Sequence, residues 1–435
     1  DLQNNENIKR LEKKGAKIFL NHKKNNVKNI SVAVFSSAIP KSNSEIRECK
    51  KLSIPLVSRA DMLAELMREK NAIAIAGSHG KTTTTSLVGT ILEYSKLDPT
   101  IINGGIINAY SKNNRLGQGK WMVVEADESD GSFLKLPHEI NIITNIDLEH
   151  LDYYKTKQKL ISSFETFLNN IPFYGYSIVC NEDKNVRDLT KKINTRKVIT
   201  YSYSFTNSDV FISNIKSKKF KTFFKIIIRK NLINNFAGKY NFEINLLGKH
   251  NVLNATGAII SALLVGASIK DINYALKNFK GVKRRFTYIG KINKSLIYDD
   301  YAHHPTEIKA SYEIAKQISK NKIIVVFQPH RFSRTKEFYK DFIKILKKID
   351  ILYILDIYSA GEDPIKNINS KKIVQDLSKK HKSVYYIKND QNLRKILSPF
   401  FDNKNLIVFM GAGSVTHKAY KLISDNNEKE NSRNF

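Results

Sequence analysis

Residues 77–82, Gly-Ser-His-Gly-Lys-Thr, set two glycines, a lysine and a threonine within six consecutive positions. Glycines let bare backbone N–H groups approach an anion, a lysine adds charge, and a threonine hydroxyl can hold Mg²⁺. Gly77, Ser78, His79, Gly80, Lys81, Thr82 and Thr83 therefore suit the phosphates of ATP or GTP. The apolar run Ala72–Ala76 precedes the loop, and Leu87, Val88, Ile91 and Leu92 follow it at helical spacing. Strand, glycine loop and helix is the layout that aims the loop's N–H groups at a nucleotide. The loop is shorter than the common phosphate loop, with Ile75 where that motif has its first glycine. A plain turn in a lysine-rich chain is the competing reading, and the flanking strand and helix weigh against it.

Four more clusters carry chemistry. Glu125-Ala-Asp-Glu-Ser-Asp130 closes the strand pattern Trp121–Val124, where a nucleotide's Mg²⁺ needs a hard oxygen ligand. Asn145–Asp152 closes the next strand and brings His150 among carboxylates at the same sheet edge, where ligands collect. Asp299-Asp-Tyr-Ala-His-His-Pro-Thr-Glu307 follows a later strand, with Pro305 opening a helix. Phe327–Thr335 closes the strand after that, and its Arg331 and Arg334 offer planar forks for carboxylate or phosphate. Each cluster alone also reads as a solvated turn. No Gly-x-Ser-x-Gly elbow and no complete Gly-x-Gly-x-x-Gly fingerprint occurs, which disfavours serine nucleophiles and hydride transfer.

The elements that must position these residues are those of an α/β protein. The 435 residues suffice for two to four domains. Residues 1–70 read as the back part of an α/β unit, with a strand in Ile30–Ile39 and helices over Ser44–Leu52 and Asp61–Met67. A doubly wound domain opens with a strand and a glycine turn. The chain begins without either and without Met, so the first β-α unit is expected to be missing. Residues 71–287 form the nucleotide unit, with a small antiparallel addition at about 196–247 and a helix from Val252 to Leu264. Residues 288–435 alternate strands and helices as a parallel sheet does, and the polar end from Ser424 reads as unstructured.

The net charge of +31 is spread along the chain with abundant Asn and Ile. It forms no concentrated patch and accompanies no nucleic-acid module, so it reads as a basic surface that raises encounter rates with anions. Two cysteines, Cys49 and Cys180, build neither a disulfide framework nor a metal cluster. No apolar run approaches the roughly 20 residues that span a bilayer, and the expectation is a cytoplasmic protein without membrane insertion.

The ordered string of motifs resembles the Mur ligase family over nearly the whole chain. Arg59–Met67, Gly77–Thr85, Glu125–Asp130, Asp147–Asp152, Gly248–Asn254, Gly281–Phe286, Asp299–Glu307, Phe327–Thr335 and Tyr358–Glu362 occur in the family's order. The family's loop is the short form found here. The resemblance implies three domains: a central phosphate-loop ATPase flanked by two Rossmann-like domains, the N-terminal one short in this chain. It implies that ATP activates a carboxylate as an acyl phosphate, which an amine then attacks. Within the family the pattern is most similar to the ligase for UDP-N-acetylmuramate and L-alanine.

By the same resemblance, Thr82 and Glu125 bind one Mg²⁺, and Glu125 with His150 a second. Asn251 and Asn254 face adenine, Arg285 a phosphate, and Asp299 or Asp300 the ribose. Lys81, His303, Arg331 and Arg334 surround the reacting groups, with Tyr301 near the amino acid. Ser37 and Arg59 remain from the nucleotide-sugar site.

Three rivals stand beside this reading. A recycling ligase that adds a whole tripeptide shares much of the pattern, and Gln328–Arg331 with Arg334 favours the alanine enzyme. A folylpolyglutamate synthase-like ligase lacks the 299–307 cluster in this form. A non-catalytic nucleotide- or polyanion-binding protein would follow from the charge alone.

Overall fold

The computed structural model describes residues 6–36, 39–109, 112–229, 233, 236–388 and 390–431. Three sheets divide the chain. β1 (Ala33–Phe35) and β2 (Leu56–Ser58) pair in parallel near the N-terminus. The strand expected over Ile30–Ile39 is thus three residues long. The helix Ser44–Lys51 lies between the two strands and Arg59–Met67 follows them, capped by Asn43 and Ser58.

The central sheet contains β3 (Asn71–Ala76), β4 (Thr100–Ile107), β5 (Lys112–Arg115), β6 (Trp121–Glu125), β7 (Ile140–Ile143), β8 (Tyr176–Cys180), β9 (Lys197–Ser202), β10 (Val210–Lys218), β11 (Lys221–Ile228) and β12 (Gly238–Ile244). Their order is β12-β11-β10-β9-β8-β7-β3-β6-β4-β5. β3 lies between β6 and β7, parallel to both. That position explains its continuous apolar run, since a strand covered on both faces has no polar face to show. Ile73 and Ile75 point to one core with the helices Lys81–Tyr94 and Lys249–Leu264, while Ala72, Ala74 and Ala76 point to another built on Phe133, Phe164 and Phe167. Each fully buried isoleucine contributes about 1.5–3 kcal/mol. The antiparallel addition consists of β10–β12 and continues the central sheet through β9, which is parallel to β8 and β10.

The third sheet contains β13 (Thr287–Ile292), β14 (Ser295–Asp300), β15 (Ile323–Phe327), β16 (Ile351–Leu355), β17 (Val384–Ile387) and β18 (Leu406–Met410), in the order β13-β14-β18-β15-β16-β17. Only β13 is antiparallel to its neighbour. Its half-buried Tyr/Gly/Lys sequence explains why its strand character is not legible from residue pattern. Between β15 and β16 lie two helices, Phe332–Glu337 and Tyr339–Leu346. The polar end is not unstructured over its described length. A helix runs from Val415 to Asn431, anchored by buried Val415, Ala419 and Leu422. No helix among the described residues is long and apolar enough to cross a membrane.

Candidate active site

The phosphate loop leaves β3 and enters the helix Lys81–Tyr94. Gly80 caps that helix with φ 85°, and a Cβ there would stand 2.5 Å from Asn254 Oδ1. Glycine is required on both counts. Gly77, with φ 130°, has no more room, because its Cβ would meet Thr144 Oγ1 at 2.2 Å.

Lys81 is buried. Its ammonium donates to Gly77 O at 2.7 Å and to Glu128 Oε1 at 3.0 Å, with Glu128 Oε2 at 2.8 Å. Burial opposes the lysine's charge, but Glu128, Asp127 and Glu125 outweigh it and hold the ammonium protonated. Glu128 is 1% exposed. Burial pushes its carboxyl up to about 7 against the pull of Lys81. Thr82 Oγ1 donates to Glu125 Oε1 at 3.0 Å, and the N–H of Gly104 to Glu125 Oε2 at 2.7 Å. His150 holds a left-handed φ of 60° and points Nε2 to Glu128 Oε1 at 3.8 Å and Glu149 Oε2 at 4.0 Å. Burial and then Lys81 lower its pKa to about 4, so the imidazole is neutral. His150 thus clusters with Glu128 and Glu149, while Glu125 is engaged by Thr82 in the same cleft.

The C-terminal domain closes over this loop. Arg285 Nη2 reaches Thr82 Oγ1 at 3.4 Å, and Thr306 Oγ1 donates to Asp147 Oδ2 at 2.9 Å. His79 Nε2 lies 3.2 Å from Asp147 Oδ2, and its Nδ1 lies 3.3 Å from Glu307 Oε1 across the interface. Burial disfavours the imidazolium, yet Asp147 and Glu307 raise its pKa to about 10. Glu307 also receives the N–H of His303 at 3.1 Å and closes the capping box of the helix Pro305–Ile318. Burial drives His303 down to about 3, against the pull of Glu307. Arg331, in a left-handed φ of 69°, donates from Nε to Glu362 Oε1 at 2.5 Å and from Nη2 to Asp152 Oδ2 at 3.4 Å. Arg334 Nε stands 4.0 Å from Glu149 Oε1. The Tyr301 ring lies beneath Arg284 at 4.6 Å and Arg285 at 5.3 Å.

Two spaces result. A cavity of about 310 Å³ is lined by Gly80, Thr83, Asn251, Asn254, Arg285 and Asp300 among others. A cleft of about 1010 Å³ contains Lys81, Thr82, Glu125, His150, Tyr301, His303, Arg331 and Arg334. Ser78, His79 and Gly80 line the cleft as well.

Two expected residues are not brought in. Asp299 is fully buried on the opposite side of β14, where it accepts from Thr416 Oγ1 at 3.0 Å. Adjacent strand residues face opposite sides, so Asp300 takes the cavity position, fixed by the Ser311 hydroxyl and the Ala302 N–H. Burial raises Asp300 to about 6. Arg59 is exposed and lines neither space. Ser37 lies outside the described residues. Glu128, Glu149 and Glu307 join the site from within clusters already singled out. Thr416, His417 and Tyr420 join the cleft from the last helix, which carries no motif to flag them.

A phosphate loop, a second α/β domain closing on it and a carboxylate-rich cleft between them define a nucleotide-dependent enzyme of the ligase type. Comparison with known proteins agrees. The family model "Mur ligase family, catalytic domain" matches residues 1–71, "Mur ligase middle domain" 75–262, and "Mur ligase, glutamate ligase domain" 284–413. A UDP-N-acetylmuramate–L-alanine ligase of Allorhizobium ampelinum is 43% identical over 420 residues, covering 96% of this chain and 89% of the relative. The same-named protein of Rickettsia felis is 43% identical over 430 residues, covering 97% and 89%. The crystal structure of a UDP-N-acetylmuramate–alanine ligase from Thermotoga maritima superposes with a TM-score of 0.80 at 25% identity, over 99% of this chain and 93% of that one. A murein peptide ligase from Psychrobacter arcticus shares the fold at a TM-score of 0.68 and 21% identity, over 96% and 90%. The chain belongs to the Mur ligase family.

Proposed function

We propose that this chain is the ATP-dependent, ADP-forming ligase that joins L-alanine to UDP-N-acetylmuramate in peptidoglycan synthesis. The observation that carries the reading is the meeting, in one cleft, of the phosphate loop's Lys81 and Thr82 with Arg331 and Arg334 of the other domain. A polyanion-binding protein needs no such enclosure. The tripeptide-adding rival is disfavoured by the relatives named above, and the alanine ligase of known structure superposes better than the murein peptide ligase.

A carboxylate is a poor electrophile, and transfer of the ATP γ-phosphoryl gives its oxygen a leaving group. That transfer depends on positioning and charge neutralisation more than on covalent help. Loop N–H groups, Lys81 and Arg285 surround the phosphates in this reading, with Asn251, Asn254 and Asp300 around the nucleoside. The convergence of Thr82 and Glu125, and the group of Glu128, Glu149 and His150 beside them, fit divalent cations near the phosphates. Thr82, Glu125 and His150 would hold Mg²⁺, as a pair of ions by the family resemblance, and would thereby supply neutralisation of the triphosphate and the sugar's lactyl carboxylate. Arg331 and Arg334 hold the carboxylate of L-alanine and leave its amine free to attack the acyl phosphate. The tetrahedral adduct then collapses to the amide and inorganic phosphate. Burial of His303 keeps it neutral beside these groups. The reaction takes place in the cytoplasm, where ATP and the nucleotide sugar are available.

The test is phosphate release in a coupled assay. It is expected only when ATP, Mg²⁺, UDP-N-acetylmuramate and L-alanine are all present, with serine, glycine and the tripeptide as poorer acceptors. Release that ignores the nucleotide sugar would refute the assignment.

A further inference from the structure

A second set of metal-type donors lies beside the cleft, apart from Thr82, Glu125 and His150. It consists of His79, Glu149 and His304. His79 comes from the phosphate loop, Glu149 from the segment after β7, and His304 caps the helix Pro305–Ile318 of the C-terminal domain. One donor atom of each lies within 4.8 Å of the other two.

Burial separates this set from a solvated polar patch. Glu149 is 6% exposed and His304 2%. Their facing atoms, Glu149 Oε1 and His304 Nε2, are 3.9 Å apart, and neither makes a hydrogen bond. His79 Nδ1 faces the Glu307 carboxylate at 3.3 Å as an ion pair. Buried polar atoms without partners are costly and uncommon, and two that face each other beside a histidine call for a ligand that satisfies them together. Arg334 Nε, at 4.0 Å from Glu149 Oε1, is too distant to do so.

The surroundings supply the support that imidazole ligands need. One carboxylate, Asp147, stands behind both rings, 3.2 Å from His79 Nε2 and 3.7 Å from His304 Nδ1. A carboxylate that takes the outer N–H of a histidine orients the ring and strengthens the inner nitrogen as a ligand. His304 Nδ1 would then give up its long 3.4 Å contact from the Thr306 N–H. The ion would replace the proton on His79. Two imidazoles and one carboxylate suit Zn²⁺ or Co²⁺ and not the oxygen-seeking Mg²⁺.

We propose that His79, Glu149 and His304 form a site for a zinc-class divalent ion that ties the phosphate loop to the C-terminal domain. Because its ligands come from both domains, occupation restrains the opening that product release requires.

The probe is Co²⁺ or Zn²⁺ alone, added to the full chain in excess Mg²⁺. The parent is expected to retain one Co²⁺ with the visible absorption of four-coordinate cobalt. His304→Asn keeps a good helix cap and removes the ligand, and should bind at least ~10-fold more weakly. Asp147→Asn removes the supporting carboxylate and should weaken binding ~10–100-fold. Zn²⁺ should slow phosphate release by the parent and not by His304→Asn, each relative to its own rate in Mg²⁺ without zinc. Equal cobalt affinity in parent and both variants, or complete displacement of cobalt by Mg²⁺, overturns the site. Equal zinc inhibition of parent and His304→Asn overturns the tie between domains.

Discussion

Replacing Lys81 with methionine tests the buried pair at the centre of the site. The side chain keeps most of its volume and loses its charge, and Glu128 loses the ammonium bonded to it at 2.8–3.0 Å. In the parent, Glu128 already sits at about 7 because burial opposes its charge, and Lys81 prevents a further rise. Its folded value therefore lies above its unfolded value of 4.5. A carboxyl shifted this way stabilises nothing by ionising: stability is complete below the unfolded value and falls as pH rises toward the folded value. The parent stops losing stability near pH 7. The variant, with a still higher folded value, continues to lose about 1.4 kcal/mol per pH unit beyond it. The gap between them should widen by that amount from pH 7 to 8, roughly 3–6 °C in the melting temperature of a domain of this size.

Calorimetry of the metal-free protein at pH 6, 7 and 8 reads the gap. Lys81→Met/Glu128→Gln should recover most of the loss at pH 8, because replacing both members of a buried pair is far milder than orphaning one. Both variants should release no phosphate. A gap independent of pH, or a double variant no more stable than the single, would show that Lys81 does not hold Glu128 ionised.

The two aspartates of β14 should separate. Asp300→Asn is expected to raise the KM for ATP about tenfold with little change in melting temperature, while Asp299→Asn lowers stability by about 1–2 kcal/mol through its Thr416 contact and leaves that KM within twofold. Initial rates against ATP concentration decide, and the reverse pattern would restore Asp299 to the nucleoside. Arg331→Ala should raise the KM for L-alanine ~10–100-fold, the worth of a charge-assisted hydrogen-bond pair. An unchanged KM would leave Arg331 as a structural link between Glu362 and Asp152 only.

Several parts of the site were legible because local chemistry demanded them. Gly80 needs a left-handed backbone and no Cβ, Lys81 and Thr82 must follow it, and the acidic clusters close strands, 125–130 and 145–152 in the central sheet and 299–307 in the third. The choice of residue within a cluster was not legible. Asp299 and Asp300 are equivalent by type, and only the facing of β14 decides between them. Glu128, not Glu125, meets Lys81, because the turn after β6 folds back over the loop. β13 escaped notice because an edge strand with one half-buried face shows neither a long apolar run nor strict alternation.

Residue order along the chain determined the elements and the phosphate loop by itself, since strand periodicity, helix caps and glycine's backbone freedom act over a few neighbouring positions. Tertiary structure alone decided which charges face one another. Thr306 with Asp147, Arg331 with Asp152 and His79 with Glu307 join residues 159, 179 and 228 positions apart. Their contacts depend on how two domains pack, and electrostatic and hydrogen-bond energies fall off over a few ångströms of space, with no memory of distance along the chain.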